Sequence, residues 1–311
     1  MDLLQLAGRQ AKWVLALGLV VAAASPALAQ LLSGWLVPLI MTIMFVGALR
    51  LRPDRIQDLL DRPWTSLRIV LVFQLGLPLA AAAIFAATGQ LGSLVAAAVI
   101  IALSAPGIVS SPNIAAIMGL DGAAAMRLVG IGTVLVPFTC LPPLLLLYGP
   151  VDAAGVLWAA GKLALILTLS AGSGILVRRL ALHSIEEVGE RRLDGLSAIS
   201  LSVFVIALMP AFRETLLMAP LALLGWLVLA VGLNFGLQWT AFTRLSRNLP
   251  APAAGSAGLI AGNRNMALFF AALPAAHTEP LLPYLAAYQI PMYLTPLLMG
   301  WLYASASKGD S

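Results

Sequence analysis

Long apolar runs, separated by short polar stretches, repeat along almost the whole chain. Each run is about 20 residues long, the length at which an α-helix crosses a hydrocarbon core about 30 Å thick. Lipid offers the backbone no hydrogen-bond partners, so each run must pair its own N–H and C=O groups as a helix. The predicted spans are residues 13–32, 34–49, 66–88, 91–120 with a break, 123–148, 158–177, 195–212, 216–240, 251–276 with a break, and 281–304. The pattern therefore predicts an all-α integral membrane protein with about ten transmembrane helices.

Composition argues against a soluble fold. Of the 311 residues, 61% are hydrophobic and only 10% are charged, whereas a soluble domain carries about 25% charged residues. The single cysteine, Cys140, excludes an internal disulfide framework. The net charge is +5, but the basic residues lie between apolar runs rather than along one amphipathic face. We therefore expect the lipid bilayer, and no nucleic acid, as a partner.

Lysine and arginine are concentrated in alternate loops, and cytoplasmic loops of membrane proteins carry an excess of these residues. The loops on one predicted side contain Arg9, Lys12, Arg50, Arg52, Arg55, Arg62, Arg178, Arg179, Arg191, Arg192, Arg244, Arg247 and Lys308. The loops on the other side contain Asp152, Arg213, Glu214, His277 and Glu279. This asymmetry predicts a multi-pass protein of the cell inner membrane with both termini in the cytoplasm.

Two segments of the chain echo each other. Residues 136–142 and residues 290–296 each contain two prolines five positions apart, and each follows a span that is interrupted by glycine and asparagine. Transporters often consist of two inverted copies of a five-helix unit. We therefore predict a first repeat over residues 1–150 and a second, inverted repeat over residues 151–311.

The interruptions fall within the fourth and ninth predicted spans. In the fourth, Pro106 lacks an N–H and Gly107 permits unusual backbone dihedrals. Polar side chains follow or surround the two breaks, namely Ser110, Ser111 and Asn113 in the first and Asn263 and Asn265 in the second. Unpaired backbone in lipid is tolerated only where it faces protein or a watery cavity. Each break is therefore a candidate site, although a simple proline kink with serines bonding to their own helix would explain the first one alone.

These residues occur in an order that resembles the bile acid:sodium symporter family, over essentially the whole chain. The resemblance rests on residues 44–53, on residues 73–78, on Ala105-Pro106-Gly107 with Asn113, and on Gly262 with Asn265. It implies a ten-helix inverted repeat in which spans 1, 2, 6 and 7 form a panel domain and spans 3–5 and 8–10 form a core domain. It also implies that two broken helices cross near the membrane midplane and frame two sodium sites and an organic-anion pocket, with transport by alternating access.

The sequence departs from the family pattern at the sodium ligands. The family's Ser-Asn pair is here Pro112-Asn113, with Ser111 displaced by one position. Its Glu-x-Gly-x-Gln-Asn pattern corresponds to residues 260–265, where the glutamate is absent and Arg264 replaces the glutamine. Gln74 matches a family glutamine. Neutral sodium ligation by Ser111, Asn113, Gln74 and Asn265 stays open as an alternative, and no other cofactor is expected.

Arg264 lies near the middle of the ninth predicted span, whereas every Asp and Glu falls in a loop or at a predicted helix end. A charge at that depth costs roughly 3 kcal/mol or more and indicates function. We infer that Arg264 takes the place of a coupling cation and that an anionic substrate, expected to be a small organic anion, or a chloride ion completes the charge. A fixed charge favours uniport, exchange or efflux over sodium-driven uptake. The alternative is that Arg264 caps backbone carbonyls or extends to the membrane interface. The candidate substrate-binding residues are Arg264, Asn265, Asn113, Gln74, Ser110, Ser111, Asn263 and Gln289.

Competing functions are a sodium-coupled anion symporter, an intramembrane enzyme and a channel. An enzyme would need clustered acids, metal-binding histidines or an activated nucleophile within the spans. The two histidines, His183 and His277, are both predicted in loops, so we expect no enzymatic activity. The inverted repeat favours a carrier over a channel. Oligomeric state, substrate identity and transport direction are left open by the sequence.

Overall fold

The computed structural model of the chain describes residues 2–50, 63–182 and 187–307. Some residues named above lie outside these described ranges, namely Arg52, Arg55, Arg62, His183 and Lys308, together with residues 51–53 of the family resemblance.

Helices make up nearly all of the described chain. Over residues 2–50 they are α1 (Leu3–Arg9), α2 (Ala11–Ala24), α3 (Pro26–Ser33) and α4 (Leu36–Leu49). Over residues 63–182 they are α5 (Pro63–Leu71), a π-helical turn (Val72–Gly76), α6 (Leu77–Ala87), α7 (Leu94–Ser104), α8 (Ser111–Ile117), α9 (Gly122–Thr139), α10 (Leu141–Tyr148), α11 (Ala153–Leu167), a second π-helical turn (Thr168–Gly172) and α12 (Ser173–Ala181). Over residues 187–307 they are α13 (Glu187–Met218), α14 (Pro220–Leu245), α15 (Ala251–Gly262), α16 (Ala267–Ala272), α17 (Ala275–Thr278), α18 (Leu282–Leu298) and α19 (Gly300–Ser307).

Five of the continuous helical segments in the described residues are long and apolar enough to cross a membrane: Pro63–Ala87, Gly122–Thr139, Ala153–Ala181, Val188–Met218 and Pro220–Leu245. The pair α3 and α4, bent by 81°, would be a sixth if it forms one span. No β-strand occurs in the described part of the chain, where the single β-type contact is one isolated bridge. An all-α membrane protein is therefore confirmed, whereas the ten-span count and the inverted repeat stay predictions.

The chain divides into two compact units. The first contains residues 1–56 and 164–223. Within it, the long helix α13 packs along α1, α2, α3 and α4. Gly195 of α13 lies so close to the carbonyl oxygen of Leu4 that a side chain there would collide with backbone. Ion pairs join its elements as well, between Arg50 and Asp194 and between Arg178 and Glu190, each at 2.6 Å.

The second unit contains residues 57–163 and 224–311 and includes both interruptions predicted from the sequence. The first break separates α7 from α8, and the second separates α15 from α16. The four pieces have 11, 7, 12 and 6 residues, each too short to cross a bilayer alone. Residues 254–262 of α15 are buried, and the helix packs against α8, α9 and α19. The breaks therefore lie within protein, as unpaired backbone in a membrane requires.

Candidate functional site

The two breaks of the second unit meet each other as a short antiparallel bridge between Gly107 and Arg264. The N–H of Ile108 donates to the carbonyl of Asn263 at 3.0 Å, and the N–H of Asn265 donates to the carbonyl of Pro106 at 2.7 Å. Each break thereby supplies partners for backbone groups that the other leaves unpaired, which removes a cost of several kcal/mol per group in lipid. A larger residue at Gly107 would crowd this approach, since a Cβ there would lie 2.9 Å from Cγ2 of Ile260 and one of the two would have to shift.

The guanidinium of Arg264 lies at this bridge and donates hydrogen bonds to backbone carbonyls. Nε donates to Ala261 at 2.7 Å, Nη1 to Ala105 at 2.9 Å and Nη2 to Phe73 at 3.4 Å. Ala261 lies in the last turn of α15, and Ala105 directly follows Ser104, the last residue of α7. The carboxyl end of a helix carries a partial negative charge of roughly half an elementary charge. Two such ends therefore face one cation.

The third carbonyl, that of Phe73, is available because of a local irregularity. In the π-helical turn the N–H of Leu77 donates to the carbonyl of Val72, five residues earlier. The next candidate donor along the helix is Pro78, which has no N–H. The carbonyl of Phe73 is thus left without a helical donor and accepts from Arg264 instead. The Phe73 ring lies 5.3 Å from the same guanidinium, within range of a cation–π interaction.

Arg264 is one of the most buried side chains of the described chain, with 2% of its surface exposed. It takes part in none of the ion pairs found among the described residues. Its side chain is enclosed at the bridge rather than extended towards a surface. The positive charge is therefore balanced by carbonyl dipoles and an aromatic face, and three of the five N–H donors of the guanidinium are engaged by backbone.

A network of buried polar side chains supports the second break. Oδ1 of Asn263 accepts from Nδ2 of Asn234 and from Oγ1 of Thr295, each at 3.1 Å. The carbonyl of Gly262 accepts from Tyr288 Oη at 2.6 Å and from Asn234 Nδ2 at 2.8 Å. These bonds hold the carboxyl end of α15 in the geometry that Arg264 requires.

Gln74 lies next to this site, within the π-helical turn, and is 2% exposed. Its Oε1 accepts from Oγ1 of Thr139 at 3.4 Å. Its Nε2 faces Gly132 so closely that a Cβ on that glycine would lie 2.6 Å away. The side chain of Gln74 is therefore held against α9. Gln74 follows Phe73, whose carbonyl accepts from Arg264.

The remaining predicted site residues differ in their surroundings. Ser111 is fully buried, and its hydroxyl has no partner within the described residues. Ser110, Asn113 and Asn265 are half-buried. Gln289 is buried, but its Nε2 donates to the carbonyl of Leu285 on its own helix at 3.2 Å, so it does not contact the bridge through that bond.

Sequence reasoning did not assign Phe73, Thr139 or Thr295 to the site. For Phe73 the sequence carries no signal, since in a regular α-helix Pro78 would leave the carbonyl of Gln74, not that of Phe73, without a donor. For Thr295 and Thr139 the signal is their place within the two proline-containing segments that echo each other. Asn234 is a polar residue within an apolar span, for which the sequence leaves open a place on the substrate path or a bond between helices. The structure shows it donating to Gly262 and Asn263 at the second break.

Comparison with known proteins adds no family assignment: no protein-family model matches the chain, and no curated protein sequence matches it.

Proposed function

We propose that the chain is a secondary transporter that moves a small organic anion by alternating access, in the manner of bile acid:sodium symporters but without coupling to sodium. The observation that carries this proposal is the position of the Arg264 guanidinium, which holds the carbonyls of Ala105 and Ala261 at the carboxyl ends of two broken helices. Hard oxygen ligands of this kind suit an alkali cation. In this chain the guanidinium of Arg264, rather than a bound ion, supplies the positive charge that these carbonyls stabilise.

A tethered charge differs from a bound ion in one respect that matters for coupling. A sodium ion can enter from one side of the membrane and leave on the other, so its gradient drives transport. A guanidinium keeps its proton under all physiological conditions and never leaves the protein. Arg264 therefore stabilises the contact between the two breaks but does not couple transport to an ion gradient. The absence of such coupling favours uniport or exchange.

The net positive charge of Arg264, which dipoles stabilise but do not cancel, also favours an anionic substrate. Among the described residues no carboxylate pairs with Arg264. In a low-dielectric setting a positive charge attracts an anion over a longer distance than it would in water. Asn113, Asn265 and Ser110 are half-buried beside the breaks and are the proposed polar contacts of the substrate. Carboxylates and sulfonates are the proposed substrate class.

A sodium-coupled symporter with neutral ligands is the second candidate. It is favoured by the hydroxyl of Ser111, which is fully buried without a partner in the described chain. Gln74 would be a further ligand, and its amide oxygen accepts only a long hydrogen bond of 3.4 Å from Thr139. The two candidates differ in one measurable property, the response of uptake to a sodium gradient.

The test is counterflow of labelled carboxylates and sulfonates in proteoliposomes, with sodium on one side, on both sides or replaced by choline. We expect uptake that does not depend on the sodium gradient. Arg264→Gln should abolish it, whereas Arg244→Gln, an exposed arginine at the end of α14, should leave it unchanged. Uptake that follows the sodium gradient would establish the symporter instead, and absence of any counterflow for the whole panel would contradict both.

A further inference from the structure

A cavity of about 580 Å³ opens within the second unit, away from the side chains of the bridge. Its wall combines the start of α5, the turn before α9, the first half of α9 and the start of α15. By the predicted topology this end of the unit faces the cytoplasm. The volume is many times the roughly 30 Å³ occupied by one water molecule. It is therefore large enough for a small organic molecule.

Hydrogen bonds join the two sides of the cavity. The N–H of Asp121 donates to the carbonyl of Pro252 at 3.3 Å, and Oγ of Ser256 donates to the carbonyl of Asp121 at 2.7 Å. The turn before α9 is thereby attached to the first turns of α15. One backbone hydrogen bond and one side-chain hydrogen bond therefore hold this part of the wall together.

The electrostatics of the wall favour an anion. Helix α15 has 12 residues and begins after Pro250, which provides no side-chain cap. Because Pro252 has no N–H, the first-turn amides without a capping acceptor are those of Ala251 and Ala253. Helix α9 differs, since the carboxylate of Asp121 already caps it through the N–H of Ala124 at 2.9 Å. The guanidinium of Arg127 lies in the same wall, 3.9 Å from that carboxylate. The open positive end in the cavity is therefore that of α15.

A second, independent feature points to a ligand. Ser66 lines the cavity and is 6% exposed, yet its hydroxyl forms no hydrogen bond with any described residue. The hydroxyl opens onto the cavity and is therefore available to donate a hydrogen bond to a bound group. Ile69, Leu120 and Leu128 provide apolar surface in the same wall.

From these observations we infer that the cavity is a binding site for a soluble carboxylate with a short apolar body, of the size of benzoate. The carboxylate accepts hydrogen bonds from Ser66 and from the first-turn amides of α15 and is attracted by Arg127. The apolar body lies against Ile69 and Leu128. This site is distinct from the proposed transport function, because binding here requires neither the bridge nor a conformational cycle.

The test is thermal unfolding of the purified full-length chain in neutral detergent, titrated with benzoate and, separately, with the uncharged isostere benzamide at constant ionic strength. We expect benzoate to raise the unfolding midpoint and benzamide to leave it unchanged. Ser66→Ala should weaken binding by about tenfold, as expected for losing one hydrogen bond to a charged group. Arg68→Gln, a charge change on α5 at a residue outside the cavity wall, should have no effect.

Ala253→Glu separates binding from folding. A glutamate in the first turn of α15 is favourable for the helix, but it places a carboxylate where the ligand's carboxylate would lie. We expect a folded variant without a benzoate response. Equal responses to benzoate and benzamide, or a full benzoate response in both Ser66→Ala and Ala253→Glu, would overturn the assignment. Titration with a short-chain phosphatidylglycerol is expected to have no effect, and a shift that Ala253→Glu abolishes would assign the site to a lipid headgroup instead.

Discussion

Nη1 of Arg264 donates a hydrogen bond of 2.9 Å to the carbonyl of Ala105, a residue 159 positions earlier in the chain. The same guanidinium holds Ala261 through Nε. One side chain therefore connects the carboxyl ends of α7 and α15, the two helices that precede the breaks. Removing it would leave buried carbonyls facing one another without a donor, and each would cost about 1–3 kcal/mol.

The first prediction concerns a cation that replaces the guanidinium. In Arg264→Ala the carbonyls of Ala105, Ala261 and Phe73 surround the space left by the side chain. We expect the unfolding midpoint to fall by several degrees in choline buffer and to recover in part in sodium buffer, since a ligand of the native state stabilises it by mass action. The midpoint of the unmodified chain should be the same in both buffers.

Arg244→Ala is the matched control, because Arg244 is an exposed arginine of the same unit. The unfolding midpoint of Arg244→Ala should equal that of the unmodified chain and should be the same in choline and sodium buffers. A sodium effect of equal size in all three proteins would show that the ion acts elsewhere, and an unchanged midpoint in Arg264→Ala would remove the structural role of the guanidinium.

A second prediction concerns the contact between Gln74 and Gly132. A Cβ at position 132 would lie 2.6 Å from Nε2 of Gln74, which is buried. Gly132→Ala should therefore displace the amide, break its bond with Thr139 and cost about 1–3 kcal/mol of unfolding free energy. Gln74→Ala should relieve the clash, so the double variant is expected to be less destabilised than the sum of the single ones.

Gly236→Ala is the comparison for this pair, since a Cβ on that glycine of α14 meets nothing within 4 Å. It should leave stability unchanged or raise it by at most about 1 kcal/mol, the propensity gain of alanine over glycine in a helix. Strictly additive free energies in the Gln74 and Gly132 cycle would contradict direct contact between them.

A third prediction ranks the donors to the carbonyl of Gly262. Tyr288→Phe removes the bond of 2.6 Å but leaves the one from Asn234, so we expect a loss of about 1 kcal/mol. Asn234→Leu removes bonds to both Gly262 and Asn263 and should cost more than Tyr288→Phe. Unfolding in detergent measures both. Tyr293→Phe, on the same helix as Tyr288, is the control and should be neutral, because its hydroxyl has no partner among the described residues.

A fourth prediction concerns pH and helix α1. The carboxylate of Asp2 accepts the N–H of Gln5 at 2.9 Å and pairs with Nε of Arg192 at 2.7 Å. The N–H of Gln5 first, and Arg192 second, hold the pKa of Asp2 below its usual 3.8. A depressed pKa means that the carboxylate stabilises the fold above pH 3.8 and loses this contribution as the pH falls through its native value.

We therefore expect amide exchange in residues 3–9, corrected for intrinsic rates, to accelerate as the pH is lowered through and below that value. Asp2→Asn should exchange faster than the unmodified chain at neutral pH and should show no such acid transition. An acid transition of the same size in Asp2→Asn would assign the effect to another group.

Much of the architecture was readable from local sequence properties. Apolar runs predict helices because lipid leaves the backbone no other way to pair its polar groups. Pro106 and Gly262 marked the breaks, and α7 ends at Ser104 while α15 ends at Gly262 itself. The buried charge at position 264 also followed from composition, since the residue lies within an apolar run. These are properties of residues near one another in the chain.

The partners of these residues required the tertiary structure. Arg264 contacts Phe73, 191 positions away, because a π-helical turn and Pro78 together leave one carbonyl without a donor. Gln74 is held against Gly132 by the packing of two helices. A linear sequence specifies which groups need partners, because that depends on local chemistry. It does not specify which distant groups provide them, because that depends on the register at which helices pack.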